Sequence, residues 1–491
     1  MKSLGSISIS DKYSISEALE ILNSTKLLIL LVVDEEGKLI RTVTDGDIRR
    51  LLLKKGTLNT FIYDLPKKEP VSVVEGTSKK KVLSLMYEKG VSLIPVLNKN
   101  EIPIQIHLKK DLDKRIQLSI PHLTGEEQDY IEEALDSNWI APLGPNVDSF
   151  EKELSQYIGG SGVVALNTGT AAIHLALRLL DVTEGDFVLC QSFTFIASAN
   201  PILYQGAIPV FVDSESQTWN MSPIALNIAL KQLKKENKKP KAVIVTHLYG
   251  QIAKLNEIIE ICNEYDIPLI EDAAESMGSF YQGKHTGTIG KLGIFSFNGN
   301  KIITASSGGA LVSNDKKLLE KARFLSSQAK DNAPYYLHSE VGYNYRMSNI
   351  LAGVARAQLK VLNERVSARR NIQKIYKNGL KNIKQIEWIE DSPGNRSNCW
   401  LSVFKINSIK YEHEASDLIA FLISRNIEAR YVWKPLHGQP LFKESILFSD
   451  SKEIFCDQVF QTGVCLPSSS NMLIDDQKLI IDSIKYFFGK Q

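Results

Sequence analysis

The 491-residue chain has few cysteines, almost no net charge and no long apolar run. Its five cysteines are scattered without a CxxC pair, so neither a disulfide framework nor a cysteine zinc site is expected. The eight histidines also lack the short spacing of metal ligands on one element, and no metal is predicted. The longest apolar run, Leu27 to Val33, is far shorter than the roughly 20 residues of a membrane helix. A buried strand explains this run better.

The charge balance and the N-terminus exclude further classes of protein. Lysine and arginine number 58 and aspartate and glutamate 56, which argues against a surface built to bind nucleic acid. The first residues lack the basic flank and apolar core of a secretory signal, so we expect a cytoplasmic protein. The length is about three times the roughly 150 residues of one domain, and two or three folded cores are therefore expected.

Residues 1–116 contain an internal repeat. Two stretches about 63 residues apart have the same order of helix-like and strand-like patterns, and Leu22 and Val33 match Leu85 and Val96. Each copy is predicted to form a βαββα-like unit.

One segment of this repeat, VTDGDIRRLL, carries a short signature. Its Thr44 and Asp47 match the Thr-x-x-Asp pattern of CBS domains, and residues 1–116 resemble a CBS-domain pair. Thr44 can donate to a phosphate at a helix start, and Asp47 can accept from ribose hydroxyls, so a regulatory nucleotide is expected here. Leu108 replaces Thr44 in the second copy, which leaves at most one complete half-site. Alternatively, Asp47 only stabilises the first turn of its own helix.

After residue 116, short apolar strands alternate with longer amphipathic segments. The clearest strands are predicted over residues 186–191, 208–213, 241–247 and 267–272. This alternation predicts a mostly parallel sheet covered by helices on both faces, with ligands at the carboxyl ends of its strands. A long helix predicted over 353–370 ends the large domain, 117–370, and a smaller α+β domain follows over 371–491.

Three groups at these strand ends point to one cofactor. Thr168, Gly169 and Thr170 open a helix and offer free N–H groups to a phosphate, although Thr170 as a simple N-cap is an alternative. Asp272 ends an apolar strand, where a buried carboxylate requires a partner, although an exposed strand-end aspartate is the alternative. Lys301 lies in an apolar, glycine-flanked segment, where a lysine is unusual, and its amine is expected to form a Schiff base. A phosphate anchor, a pyridinium partner and an imine-forming amine are what pyridoxal phosphate requires.

Longer blocks carry a closer resemblance. Residues 117–491 resemble the DegT family of nucleotide-sugar aminotransferases in PHLTGEEQ, SFTFIASANPI, EDAAES, SFNGNK, GYNYRMSNILAG and GVCLPSSSN, among others. The resemblance implies fold type I of the pyridoxal phosphate enzymes and a homodimer with active sites at the subunit interface. It also implies that Lys301 binds the cofactor covalently and that Asp272 holds the pyridinium nitrogen protonated.

Further site residues follow from the same resemblance. Thr168, Gly169, Thr170 and Ser296 would bind the cofactor phosphate. Phe195 would stack on the cofactor ring, and Asn344 would reach the phosphate of the neighbouring subunit. Substrate contacts are expected from four residues of EARYVWKPLHGQP, which are Arg430, Trp433, Lys434 and His437. The alternatives are a core role for Phe195, a strand hydroxyl for Ser296, a turn for Asn344 and a surface loop for the last four.

The resemblance also implies a reaction. L-Glutamate would donate an amino group to a nucleotide-linked keto sugar, with Lys301 as nucleophile and proton carrier. The blocks WIAPLGPNVDSFEKEL and WNMSP are most similar to members that aminate C4 of 4-keto-6-deoxy sugars for surface polysaccharides. Amination at C3, or a regulatory scaffold with a retired enzyme domain, are the alternatives. Glu275 departs from the Gln or His of many relatives.

Overall fold

A computed structural model of the chain describes residues 4–25, 29–54, 56–66, 68–112, 115–407 and 414–489. The chain divides into two compact units, Met1–Arg115 and Ile116–Gln491. The boundary predicted after residue 116 lies next to this division. All five cysteines are free and buried. Among the helices of the described ranges, none combines the length and the apolar character needed to cross a bilayer.

The first unit contains two copies of one β-α-β-β-α arrangement. The first copy comprises β1 (Ser8–Ile9), α1 (Ile15–Thr25), β2 (Ile29–Val33), β3 (Leu39–Thr44) and α2 (Asp45–Leu53). The second comprises β4 (Val73–Val74), α3 (Lys79–Lys89), β5 (Leu93–Leu97), β6 (Pro103–Leu108) and α4 (Lys109–Leu112). In each copy the first strand pairs parallel with the second, and the second pairs antiparallel with the third. The predicted repeat is confirmed.

The period of this repeat is 64 residues, since β2 begins at Ile29 and β5 at Leu93. The predicted pairings of Leu22 with Leu85 and of Val33 with Val96 are therefore wrong by one residue, and Val33 corresponds to Leu97. Leu22 corresponds to Met86, and both side chains are buried under their sheets. Leu27, at the start of the apolar run predicted as a strand, lies outside the described residues.

The second unit contains most of the helices and strands. Its helices are α5 (Glu127–Asp136), α6 (Pro145–Tyr157), α7 (Gly169–Leu179), α8 (Asn200–Tyr204), α9 (Pro223–Lys235), α10 (Leu255–Glu264), α11 (Lys316–Ser326), α12 (Asn349–Lys360), α13 (Leu362–Leu380), α14 (Ala415–Ile423), α15 (Phe455–Thr462) and α16 (Ile474–Phe488). Its strands are β7 (Gly162–Leu166), β8 (Phe187–Gln191), β9 (Ile208–Val212), β10 (Ala242–Thr246), β11 (Leu269–Asp272), β12 (Phe280–Tyr281), β13 (Lys284–His285), β14 (Leu292–Ser296), β15 (Gly309–Ser313), β16 (Ile386–Trp388), β17 (Asn395–Arg396), β18 (Ser402–Ile406), β19 (Arg430–Tyr431), β20 (Ile446–Phe448) and β21 (Gly463–Leu466).

A mixed eight-stranded sheet forms the centre of this unit. Its order is β20-β9-β8-β10-β11-β14-β15-β7, and only β15 runs antiparallel to its neighbours. Successive residues of its strands enter different hydrophobic clusters, as Val188 and Leu189 do, because side chains alternate between the faces of a sheet. Helices cover both faces. The mostly parallel sheet predicted from the sequence is confirmed.

A second, four-stranded antiparallel sheet, β16-β18-β21-β19, builds the C-terminal part of the chain. Its strands share a hydrophobic core with α13, α14 and α16, which includes Tyr376, Phe404 and Ile480. The single helix predicted over 353–370 is wrong, because Val361 leaves helical geometry (φ −103°, ψ 6°) and separates α12 from α13. The division predicted at residue 370 falls inside α13 and stays a prediction.

Candidate active site

A cavity of about 220 Å³ opens at the carboxyl ends of β7, β10, β11 and β14. Parallel sheets bind ligands at this edge, because the strand ends and the following helix starts meet there. All the predicted cofactor residues except Asn344 line the cavity, namely Thr168, Gly169, Thr170, Phe195, Asp272, Ser296 and Lys301. Trp433, predicted to contact the substrate, lines it as well. The chain brings these side chains together from segments more than 250 residues apart.

The start of α7 forms one wall of the cavity. Thr168 caps this helix, since its Oγ1 accepts from the Ala171 N–H at 2.9 Å, so the cap is Thr168 and not Thr170. Within the described part of the chain, the N–H groups of Gly169 and Thr170 have no protein acceptor. A Cβ on Gly169 would lie 3.0 Å from the Cβ of Ser296, so any larger residue would crowd the two chain segments here. The wall fits a phosphate group.

Asp272 ends β11 on the floor of the cavity and is 95% buried. Its Oδ2 accepts from the hydroxyl of Ser198 at 2.6 Å, and its Oδ1 accepts from the N–H of Ala274 at 3.2 Å. No ion pair among the described residues includes this carboxylate. A protonated ring nitrogen is the kind of partner that it lacks. Ser198 was not predicted, because nothing in SFTFIASA singles out this serine.

Lys301 lies in the loop between β14 and β15, in a turn closed by its N–H donating to the carbonyl of Asn298 at 3.0 Å. Its Nζ lies 4.6 Å from the ring centre of Trp400 and 4.0 Å from Oε1 of Glu275. Only 13% of its side chain is exposed. The amine therefore projects into the cavity and has an aromatic ring and a carboxyl group as neighbours.

Glu275 is a site residue that the sequence indicated only as a departure from relatives. Its carboxyl group is fully buried, which raises its pKa, while the nearby charge of Lys301 acts in the opposite direction. Its oxygens accept from the N–H of Tyr249 at 2.7 Å and from the indole N–H of Trp433 at 3.3 Å. A second titratable group thus stands beside the lysine amine.

Phe195 lines the cavity. The residue is 48% exposed, which excludes the alternative of a core residue. The ring centres of Phe195 and Trp433 lie 5.2 Å apart at an angle of 52°. This aromatic pair offers a face on which a planar ring can stack.

Asn344 and Arg430 lie outside the cavity. Asn344 is exposed, and its carbonyl accepts from the side-chain amide of Asn167 at 3.2 Å. Arg430 pairs with Glu428 at 2.5 Å and lines an adjoining cavity of about 160 Å³, which shares Trp433 with the first.

The remaining two predicted substrate residues are not brought to either cavity. Lys434 is exposed. The Nδ1 of His437 lies 2.7 Å from the hydroxyl of Ser192, and its Nε2 lies 3.2 Å from Oδ2 of Asp457. With these partners His437 lines neither cavity.

The first unit has a cavity of its own, of about 440 Å³, beside the predicted half-site. It is lined by Thr44 and Asp47 and by the basic side chains of Arg50, Lys68 and Lys89, among others. Oδ2 of Asp47 accepts from the N–H and hydroxyl of Thr44 at 2.9 and 2.7 Å. Burial opposes ionisation of Asp47, but hydrogen bonds from Thr44 and Arg50 lower its pKa below the ordinary value. Asp47 thus stabilises its own helix, as the alternative reading proposed, and still borders the cavity.

A phosphate-binding helix start, a strand-end carboxylate and an enclosed lysine on this sheet define a pyridoxal phosphate enzyme of fold type I. Sequence comparison agrees. Residues 121–485 match the DegT/DnrJ/EryC1/StrS aminotransferase family, and residues 4–54 and 62–105 match the CBS domain. The chain belongs to the DegT/DnrJ/EryC1/StrS aminotransferase family and is a pyridoxal phosphate-dependent aminotransferase with an N-terminal CBS region, as predicted.

Individual relatives cover the second unit over nearly their whole length. EpsN of Bacillus subtilis (strain 168) is 53% identical over 378 residues, which are 77% of this chain and 97% of EpsN. GDP-perosamine synthase of Escherichia coli O157:H7 is 34% identical over 376 residues, 77% of this chain and 99% of that enzyme. The crystal structure of a DegT DnrJ EryC1 StrS aminotransferase from Brucella abortus superposes with a TM-score of 0.70 at 30% identity, over 74% of this chain and 96% of that one.

Proposed function

We propose that the protein transfers an amino group from L-glutamate to C4 of a nucleotide-linked 4-keto-6-deoxy sugar. The product is a 4-amino-4,6-dideoxy sugar nucleotide for surface polysaccharide synthesis. The cavity that joins Lys301, Asp272 and the start of α7 carries this proposal. The choice of C4 is supported by the similarity to GDP-perosamine synthase.

The protein contributes binding, orientation and proton transfer. Bound pyridoxal phosphate supplies an electron sink for charge that develops beside the amino nitrogen. The N–H groups of Gly169 and Thr170 would hold the phosphate, and the carboxylate of Asp272 would keep the ring nitrogen protonated. Phe195 would stack on the ring. Lys301 would hold the cofactor covalently, and once the amino donor has displaced it, its free amine would move a proton at the carbon that bears the transferred nitrogen.

The adjoining cavity offers space for a large second substrate. It shares Asn300, Trp400 and Trp433 with the cofactor cavity, and it adds the guanidinium of Arg430 at its rim. A guanidinium is suited to the diphosphate of a sugar nucleotide. Glutamate and the sugar nucleotide would occupy this space in turn.

The proposed reaction is tested by supplying UDP- and GDP-linked 4-keto-6-deoxy sugars with L-glutamate. We expect one of the two to be converted, with 2-oxoglutarate formed in equal amount and the amino group located on C4 by NMR. The matched 3-keto isomers serve as controls and should react far more slowly. Amination at C3 alone, or no 2-oxoglutarate with either sugar series, would contradict the proposal.

We also propose that the enzyme acts as a homodimer in which Asn344 reaches the cofactor phosphate of the partner. Asn344 is exposed within one chain, and so are the large apolar side chains of Trp139, Ile140 and Leu143, at 43%, 52% and 56%. Apolar groups this exposed are typical of surfaces that another chain covers. A monomeric mass in light scattering would contradict this assembly.

For the first unit we propose nucleotide binding in the cavity beside Thr44. Arg49 and Arg50 are neighbours on α2, and each pairs with a carboxylate at 2.6 Å, Arg49 with Asp45 and Arg50 with Asp47, but only Arg50 lines the cavity. Arg50→Ala is expected to weaken binding about tenfold, because a hydrogen bond from a cation to a phosphate is lost. Calorimetry of the full chain with ATP, CTP, UTP and GTP measures this affinity. Arg49→Ala is the matched control and should bind as the wild type does. No heat with any nucleotide, or equal losses in both variants, would refute the site.

A further inference from the structure

The first residues of the second unit form a short connecting segment, Ile116–Ile120, which follows directly on Arg115, the last residue of the first unit. The N–H of Ile116 donates to the carbonyl of Asn426 at 2.9 Å, and its carbonyl accepts from the N–H of Glu428 at 2.8 Å. Further along, the carbonyl of Leu118 accepts from the N–H of Ser468 at 2.8 Å. Backbone hydrogen bonds thus join the connecting segment to the C-terminal part of the fold.

The connecting segment also reaches the turn that carries the lysine. The hydroxyl of Ser119 donates to the carbonyl of Asn300 at 3.0 Å. The indole N–H of Trp400 donates to the same carbonyl at 2.8 Å, and the ring of Trp400 lies beneath the amine of Lys301. The peptide unit immediately before Lys301 is therefore held by two donors from distant parts of the chain.

A buried arginine holds both of these donors in place. Nη2 of Arg369 donates to the hydroxyl of Ser119 at 3.0 Å, and its Nη1 donates to the carbonyl of Trp400. Burial, with a contribution from the charge of Arg365, lowers the pKa of Arg369 to about 9. Among the described residues no carboxylate forms an ion pair with Arg369. A buried guanidinium without an ion pair is costly, so the hydrogen bonds of Arg369 to Ser119 and Trp400 indicate that these two residues must be held in place.

We propose that Ser119 is a positioning residue for Lys301. By accepting from Arg369 and donating to Asn300, it sets the turn from which the amine projects toward Trp400 and Glu275. The inference rests on the proposed role of Lys301 and not on the identity of the sugar, so it is measured on the bound cofactor without a substrate.

The test uses the full-length holoenzyme and the variants Ser119→Ala and Ser119→Thr. In Ser119→Ala we expect pyridoxal phosphate to leave about 3- to 10-fold faster, because one hydrogen bond to the turn is lost. The pH midpoint of the visible cofactor band should also move, by about 0.5 to 1 unit. Ser119→Thr keeps the hydroxyl and should restore both values. Ser483→Ala is the matched control, since it removes a buried hydroxyl on α16 whose partner is Arg425.

Trp400→Phe is the second variant, and it removes the other donor while an aromatic ring remains beside the amine. It should change the rate of pyridoxal phosphate release and the pH midpoint of the visible band as Ser119→Ala does. If Ser119→Ala does not fold, this variant still tests whether the hydrogen bonds to Asn300 position Lys301. Wild-type release and an unchanged midpoint in folded Ser119→Ala, or in Trp400→Phe, would overturn the proposal. The proposal would also be overturned if Ser119→Thr did not restore the wild-type release rate and pH midpoint. If Lys301→Ala retained the visible band, the role of Lys301 itself would fail, which is a separate outcome.

Discussion

Lys301→Ala is expected to lower transamination by at least about 10³-fold, since the amine is the only proton carrier proposed for the reaction. The visible band of the covalently bound cofactor should disappear, because no other amine of the described residues lines the cavity. The fold should persist, since the side chain lies in a loop between β14 and β15 and makes no hydrogen bond of the sheet. Absorption spectra, turnover with glutamate and light scattering measure these three properties.

Lys478→Ala is the control for this variant. Lys478 lies on α16, is 69% exposed and forms only a weak pair with Asp475, so its removal should leave the spectrum and the rate unchanged. A visible band or more than about a hundredth of wild-type turnover in Lys301→Ala would show that another group binds the cofactor or moves the proton. The same light-scattering run reports whether both variants have the mass of a dimer.

Asp272→Asn is expected to have the second-largest effect, a loss of about 10²- to 10³-fold in turnover. Asparagine has the same shape and can still accept from Ser198, but it carries no charge to stabilise a protonated ring nitrogen. Binding of pyridoxal phosphate should weaken less than turnover falls, because the phosphate wall of Gly169 and Thr170 is untouched. Measuring the turnover rate and the affinity for pyridoxal phosphate in the same preparation separates the loss of activity from the loss of binding.

Ser198→Ala is the companion variant to Asp272→Asn. It removes one hydrogen bond to the carboxylate and keeps the charge, so a loss of only about 3- to 10-fold is expected. If Asp272→Asn cost no more than Ser198→Ala, then the charge of Asp272 would not be what the reaction uses.

Local patterns predicted most of the fold and part of the site. The repeat was visible because each copy has its own helix and strand periodicities, although its register was wrong by one residue. Four site residues could be predicted because each follows a recognisable apolar strand or opens a helix; they are Thr168, Gly169, Asp272 and Lys301. Parallel strands end at one edge of a sheet, so these residues were expected to lie close together. The break at Val361 was not visible, because the apolar pattern continues from α12 into α13.

Other site residues were not predicted because they act through partners far away in the sequence. Ser119 meets Asn300 across 181 positions and Arg369 across 250, and no local spacing encodes such a meeting. Trp400 and Ser198 are similar cases. Conversely, His437 belongs to a block that resembles an active-site segment, yet it lines neither cavity and its ring contacts Ser192 and Asp457.

The sequence by itself determined that this chain has a duplicated N-terminal unit and a parallel-sheet unit with the groups required for pyridoxal phosphate. Periodicity and strand-end chemistry are local properties, so one segment at a time is enough to reveal them. Only the tertiary structure decided which hydroxyls and rings hold Lys301 and Asp272, and which predicted substrate residues reach the cavity. Hydrogen bonds act over about 3 Å, and only folding brings residues that are hundreds of positions apart within that distance.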